Sequence, residues 1–188
     1  MRPDIYEYPN RTFYGGKLVS VPNHTNRIEP ELKPYVLFNL MATESHDNSV
    51  YKNSDEAQFI YNILHTLQAN VHVNIEDNVD NEGYRRFRQN VSVTVNTIDG
   101  FQGMENDITI ISCVRYNSNN FLQNEQRLNV ALTRARQALY IIGNYTLFKD
   151  CIPLYDIRED AKKRKLCFDI KERPRHITNL YKYLVNSH

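Results

Sequence analysis

Three short apolar runs constrain the fold of this sequence more than any other feature. They read YVLFNL at residues 35–40, ITIISCV at 108–114 and ALYIIGN at 138–144. Continuous apolar runs of this length predict strands that are buried on both faces, as in a parallel sheet covered by helices. Two weaker alternating patterns, at residues 70–75 and 91–97, are further candidates for strands.

Two amphipathic segments separate the apolar runs. In the first, Asn53 or Ser54 can cap a helix, and the acidic residues Asp55 and Glu56 suit its positive first turn. The apolar stripe of this helix is expected to consist of Ala57, Ile60, Ile63, Leu64 and Leu67. The second segment is NEQRLNVALTRARQAL at 124–139, with helical spacing at Leu128, Leu132, Ala135 and Leu139. Alternating strands and helices predict an α/β fold with a parallel sheet flanked by helices.

The link TIDGFQGMEND at 97–107 carries an unusual density of polar groups between two apolar segments. It follows the predicted strand 91–97, so we expect it on the carboxyl edge of the sheet, where α/β proteins bind ligands. Gly100 and Gly103 allow the backbone to approach a phosphate or a sugar closely. Gln102, Asp99 and Glu105 can bond ribose hydroxyls. The alternative is a tight turn whose polar groups only cap each other.

The predicted helix at 124–139 carries arginines near this link. Arg127 and Arg134 are seven residues apart and share one face, whereas Asn129, Thr133 and Arg136 form a second polar face. Arginine suits phosphate binding because its charge is permanent and its planar fork grips two oxygens. A solvated, arginine-bearing helix face is the alternative interpretation.

Charge and composition exclude several classes of protein. The formal net charge of +1 requires no nucleic-acid or membrane partner, so any such partner must bind a local patch. Cys113, Cys151 and Cys167 form no CxxC pair, which argues against structural zinc, and we assign no metal ligand. No run approaches the ~18 apolar residues of a membrane helix, so we expect an intracellular protein without a membrane partner. KKRK at 162–165 is a weak nuclear-import signal, a phosphate-contacting strip or, more simply, part of a solvated tail.

Longer motifs resemble one family. TIDGFQGMENDITIISCVRYN and FLQNEQRLNVALTRARQALYIIGN resemble motifs V and VI of superfamily 1 helicases, in the branch that contains the nonsense-mediated-decay helicase and senataxin. The opening MRPDIYEYPNRTFYGGKL is similar to the motif IV region, which usually reads Q-Y-R-M-H-P and then F-Y-x-G-x-L. The N-x-x-E-A pattern at Asn53–Ala57 also matches. The resemblance covers residues 1–70 and 91–148.

The resemblance implies a RecA-like fold of the P-loop NTPase type, and specifically the second of the two RecA-like domains of a helicase. Arg134 would be the arginine finger at the γ-phosphate, and Gln102, Gly103 and Glu105 would line the nucleotide. Residues Thr97, Asp99 and Asn129 would face the nucleic acid. The implied cofactor is ATP with Mg²⁺, shared with a first RecA-like domain, and the implied partner is single-stranded RNA or DNA.

The sequence departs from the family pattern in several places. It contains no GxxxxGK[ST] loop, so we expect the chain alone to be inactive as an ATPase. The motif DEAQ at 55–58 follows polar YKNS rather than an apolar strand, and we interpret it as a capped helix turn. The family segment T-P-Y-x-x-Q is replaced by the divergent EDNVDNEGYRRFRQ within 71–90.

The resulting domain hypothesis has two parts. Residues 1–148 would form the RecA-like domain, truncated at its N-terminal edge, and 149–188 would form a charged, partly helical tail. The departures leave a second function open, namely a non-catalytic module, derived from a helicase, that binds RNA or a protein partner.

Overall fold

The structure is a computed structural model that describes residues 1–19, 26–29, 31–41, 45–47, 50–70, 72–79, 85–88, 92–114, 124–146, 152–171, 173–174, 177 and 179–186. Its helices are α1 (Pro3–Phe13), α2 (Ser54–Asn70), α3 (Glu125–Leu132), α4 (Ile152–Lys163) and α5 (Tyr181–Leu184). Its strands are β1 (Asn26–Glu29), β2 (Tyr35–Leu40), β3 (Ser45–Asp47), β4 (Val50–Lys52), β5 (His72–Val79), β6 (Arg85–Arg88), β7 (Asn106–Ser112), β8 (Ala135–Gly143) and β9 (Cys167–Ile170).

Four parallel strands form the main sheet, in the order β7-β8-β2-β9. The predicted run at 35–40 coincides with β2, and the other two apolar runs overlap β7 and β8, so the predicted parallel sheet is confirmed. Phe38 of β2 lies opposite Ile142 on one side and Phe168 on the other. The remaining strands pair in two small antiparallel sheets, β1-β5-β6 and β3-β4.

Helices cover both faces of the main sheet. Helices α1, α3 and α4 bury Ile5, Leu128, Leu132, Leu154 and Ile157 against one face. Helix α2 and the short α5 cover the other face with Phe59, Ile63, Leu67 and Leu184. Successive residues of β2 point into opposite cores, which explains why its sequence is apolar at nearly every position. A parallel sheet with helices packed on both of its faces is the arrangement expected of a RecA-like α/β domain.

The buried stripe of α2 differs from the predicted one by a rotation. Ile63 and Leu67 are in the core as expected, but Ala57 is exposed, and the other buried positions are Phe59 and Glu56. The predicted helix start is confirmed, because the Asn53 side-chain oxygen accepts a hydrogen bond from the Glu56 amide at 3.0 Å. DEAQ is therefore the capped first turn of a helix.

Two predicted elements are wrong. The predicted strand 91–97 is absent from its described part, residues 92–97. Val95 is 90% exposed there, because no described strand lies beside this segment to pair with it. The predicted helix 124–139 ends at Leu132, and residues from Ala135 onward belong to β8. Ala135 and Leu139 are four residues apart, and this even spacing fits one face of a strand as well as one face of a helix.

Part of the segment expected to be a charged tail joins the main fold. α4 packs on the sheet, and β9 pairs with β2. Arg164 of the KKRK motif is mostly buried, donates to Asp160 at 3.3 Å, and lies over the ring of Tyr35. Arg11 of α1 contacts the same Asp160 carboxylate at 2.5 Å, which raises the pKa of Arg11. Within the described part of the chain, no helix is long and apolar enough to cross a membrane.

Candidate functional site

The link lies at the amino ends of β7 and β8. Strand β7 begins at Asn106, near the end of the link, and β8 begins at Ala135, directly after Arg134. The two strands are parallel, so both starts lie on the same edge of the sheet, where the Asn106 amide donates to the Arg134 carbonyl at 3.0 Å. The expected position on the carboxyl edge is wrong, because the strand that would have delivered the link there is not formed.

Local hydrogen bonds fold the link into a compact turn. The Gly100 amide donates to the Thr97 hydroxyl at 3.2 Å, and the Phe101 amide donates to the Thr97 carbonyl at 3.2 Å. A 3₁₀ turn covers Asp99–Phe101. Gly103 follows with φ +80°, and a side chain there would meet no atom within 4 Å. This backbone conformation favours glycine for steric reasons within the residue itself, and the space in front of it is open.

Arg134 lies between the end of α3 and the start of β8 and faces the link. Its Nε donates to the carbonyl of Val130 at 2.9 Å, and its two Nη atoms donate to the Met104 carbonyl and the Thr133 hydroxyl, both at 3.1 Å. The guanidinium group has five N–H donors, so these three bonds leave two of them for another acceptor. The helix end and the link are thereby joined through one side chain.

Two ion pairs flank this junction. Arg127 of α3 lies 3.2 Å from Asp99, and Arg136 of β8 lies 3.2 Å from Glu105. All four side chains are exposed, so each pair contributes less than about 1 kcal/mol and mainly orients its members. Gln102 is exposed, and its side chain bonds no other described residue. The structure thus gathers Gln102, Gly103, Glu105 and Arg134 at one corner of the sheet.

Asn129 lies farther along α3 and points elsewhere. Its side-chain amide donates to the Tyr14 hydroxyl at 2.8 Å, at the C-terminal end of α1. The side-chain oxygen Oδ1 of Asn129 is buried and accepts no hydrogen bond from any described residue. The predicted polar face of Asn129, Thr133 and Arg136 is wrong, because Arg136 belongs to β8 rather than to the helix.

The three arginines at this junction differ in whether a carboxylate neutralises their charge. Arg127 and Arg136 are each paired with a carboxylate, whereas Arg134 bonds three neutral oxygens and has no carboxylate within 4 Å among the described residues. No described carboxylate therefore neutralises the positive charge of Arg134, which can attract an anion. The described residues contain no group of three His, Cys, Asp or Glu side chains that could hold a metal ion.

Glu56 is a buried residue whose importance the sequence analysis did not predict. It is fully buried at the start of α2, and its carboxylate accepts hydrogen bonds from the Ser112 hydroxyl and from the Val114 amide. Val114 has φ +27°, a conformation that a β-branched residue seldom adopts. The N-x-x-E-A pattern was the signal in the sequence for this role. Its acidic residue can be a buried hydrogen-bond acceptor rather than a charge that interacts with the helix dipole.

The fold and this corner define an α/β domain of the RecA-like type, and comparison with known proteins agrees. The family described as "AAA domain" matches residues 1–146. The chain belongs to this family. It is a member of the superfamily 1 helicases, in the branch that contains the nonsense-mediated-decay helicase and senataxin.

Three relatives illustrate the similarity. Helicase sen1 of Schizosaccharomyces pombe is 31% identical over 88% of this chain and 11% of its own length. Regulator of nonsense transcripts 1 of Dictyostelium discoideum is 34% identical over 77% of this chain and 13% of its own length. Probable helicase senataxin of Mus musculus is 27% identical over 87% of this chain and 7% of its own length. The chain thus spans only a small part of the length of these relatives.

Proposed function

We propose that this chain is the second RecA-like domain of an ATP-dependent helicase and supplies the arginine finger for ATP hydrolysis. Arg134 would contact the γ-phosphate of ATP, which binds with Mg²⁺ in a cleft shared with a first RecA-like domain. The observation that carries the proposal is the charge of Arg134, which no described carboxylate neutralises. When bound, ATP supplies the phosphoryl group, and this chain supplies positive charge and orientation.

The glycine turn beside Arg134 supports a role in binding the nucleotide. Gly103 exposes its backbone to open space, so a ribose or phosphate can approach it closely. Glu105 and Gln102 are exposed at the same corner and offer oxygen and amide groups to ribose hydroxyls. Arg136 holds the Glu105 carboxylate in place at 3.2 Å, which fixes one acceptor before the ligand arrives.

The first half of the link would face single-stranded RNA or DNA. Thr97 and Asp99 belong to the same turn as the nucleotide-binding residues, so a movement of one half displaces the other. Asn129 would join them from α3, where Tyr14 orients its side chain. This arrangement offers a direct connection between the nucleic acid and the hydrolysis of ATP. An intracellular location, nuclear or cytoplasmic, follows from such a substrate.

One observation favours the alternative, a non-catalytic module that binds RNA or a protein partner. Three of the donors of Arg134 already bond oxygens within the domain, which gives this residue a structural role that needs no ATP. In that case the role of Arg134 would be to join α3, the link and β8. The two functions predict different consequences when Arg134 is changed.

The test measures ATP hydrolysis by a protein in which this chain is joined to the first RecA-like domain. Arg134→Lys should lower kcat by about 10³-fold or more with little change in KM, because a transition-state contact is lost. Lys163→Gln is the matched control, since it removes one positive charge from the exposed end of α4.

The structural alternative is separated by adding guanidinium to Arg134→Ala. A folded, inactive variant that regains part of its activity supports the arginine finger. Undiminished hydrolysis by either Arg134 variant, with nucleic-acid binding retained, would establish the module instead. The chain alone should hydrolyse no ATP, because its sequence lacks the phosphate-binding loop.

A further inference from the structure

A cleft of about 370 Å³ lies at the carboxyl ends of β2 and β9, on the edge of the main sheet opposite the link. It is lined by Leu40, Met41, Asp55, Ile170, Lys171, Arg173 and Pro174. Its volume is within the range of small-ligand sites, and the carboxyl ends of parallel strands are where α/β folds bind ligands.

The walls of the cleft are fixed by the fold. Asn39 of β2 donates to Asp169 of β9 at 2.6 Å, which joins the two strand ends. Asn62 of α2 donates to the Pro174 carbonyl at 2.6 Å, which holds the segment after β9 against the helix. The cleft is therefore a consequence of how β9 docks on the domain.

The described polar side chains that line the cleft are mainly cationic. Lys171 and Arg173 are both exposed, and neither forms an ion pair with any described residue. Asp55, at the start of α2, supplies one negative charge, so the described lining carries a net charge of +1. Met41 is 67% exposed beside them and offers an apolar surface at the mouth of the cleft.

We propose that this cleft binds the sugar–phosphate backbone of single-stranded nucleic acid, with Lys171 and Arg173 contacting phosphates and Met41 contacting a base or sugar. The inference rests on the proposed function for the identity of the ligand, but it names a separate site. Lys171 and Arg173 lie outside residues 1–146, the part of the chain that matches the family. Asp55 faces the same space and opposes phosphate binding, so removing its charge strengthens the interaction.

The experiment measures binding of a labelled single-stranded oligonucleotide by fluorescence anisotropy at several NaCl concentrations. Lys171→Gln/Arg173→Gln should reduce the slope of log Kobs against log[NaCl] by about 1.4, because each lost phosphate contact lowers it by about 0.7. Lys163→Gln/Lys165→Gln removes the same charge from the exposed end of α4 and the turn after it, and should leave the slope unchanged. Asp55→Asn should tighten binding, a gain that misfolding cannot produce.

Three outcomes overturn the inference. An unchanged slope for Lys171→Gln/Arg173→Gln, with wild-type affinity, places the contacts elsewhere and leaves the proposed function intact. A reduced slope for Lys163→Gln/Lys165→Gln instead assigns the contacts to the KKRK segment. If the wild-type chain binds inorganic phosphate through Lys171 and Arg173 but no oligonucleotide, the cleft is a simple anion site, and the proposed nucleic-acid partner fails as well.

Discussion

Replacing Glu56 by alanine should destabilise the domain more than any substitution on its surface. The carboxylate is fully buried and accepts hydrogen bonds from the Ser112 hydroxyl and the Val114 amide. Alanine leaves two donors unsatisfied, at about 1–3 kcal/mol each, and a cavity beside the end of β7. We therefore expect a loss of about 3–5 kcal/mol in the free energy of unfolding. For a chain of this size, each kcal/mol lowers Tm by roughly 2–4 °C.

Urea denaturation followed by circular dichroism measures this loss. The matched control is Asp55→Ala, which removes the neighbouring carboxylate from the exposed side of the same helix turn. It should cost no more than about 1 kcal/mol, from its interaction with the helix dipole. Glu56→Gln keeps the shape and one acceptor oxygen, so its cost should fall between the two. If Glu56→Ala unfolds at the same urea concentration as Asp55→Ala, the argument from buried hydrogen bonds is refuted.

The remaining predictions concern the edge of α4, the link and alkaline pH. Asp160→Ala should cost about 2–3 kcal/mol, because it removes the partner of Arg11 and Arg164. The adjacent surface change Glu159→Ala should leave the urea midpoint nearly unchanged in the same denaturation assay, because its pair with Lys162 is exposed to solvent. Gly103→Ala should lower the free energy of unfolding by about 1–2 kcal/mol, because alanine is strained at the positive φ of this position. A larger loss in calorimetry would contradict the open space in front of Gly103. Burial raises the pKa of Tyr8 from 10.0 to about 12, so the unfolded chain ionises first. Unfolding free energy should therefore fall as pH rises from 10 to 12, and Tyr8→Phe should reduce that fall.

The corner that contains the candidate site shows why sequence reasoning succeeded only in part. The residues Gly103 and Glu105 were singled out for their chemistry, and the structure brings both beside Arg134. The predicted edge of the sheet was wrong because it depended on a strand at 91–97, and alternation alone does not supply a neighbouring strand. The predicted end of α3 was wrong because a spacing of four residues suits either a helix or a strand.

The segment after residue 150 illustrates the same limit. Its charged composition predicted a solvated tail, yet Arg164 packs over Tyr35 and contacts Asp160. A long side chain can bury its stem and still have its charge satisfied by a carboxylate, so composition does not decide exposure. The pairing of β9 with β2 could not be read from four residues of moderate hydropathy.

Three features could be predicted from the sequence alone: the strands with continuous apolar runs, the capped start of α2 and the family to which the chain belongs. These features depend on residues that are close in the chain, or on long motifs that few sequences share. Three features follow from the tertiary fold instead: the edge of the sheet that carries the link, the absence of a described carboxylate beside Arg134, and the burial of Glu56. Each of these depends on contacts between residues far apart in sequence, and local periodicity contains no information about such neighbours.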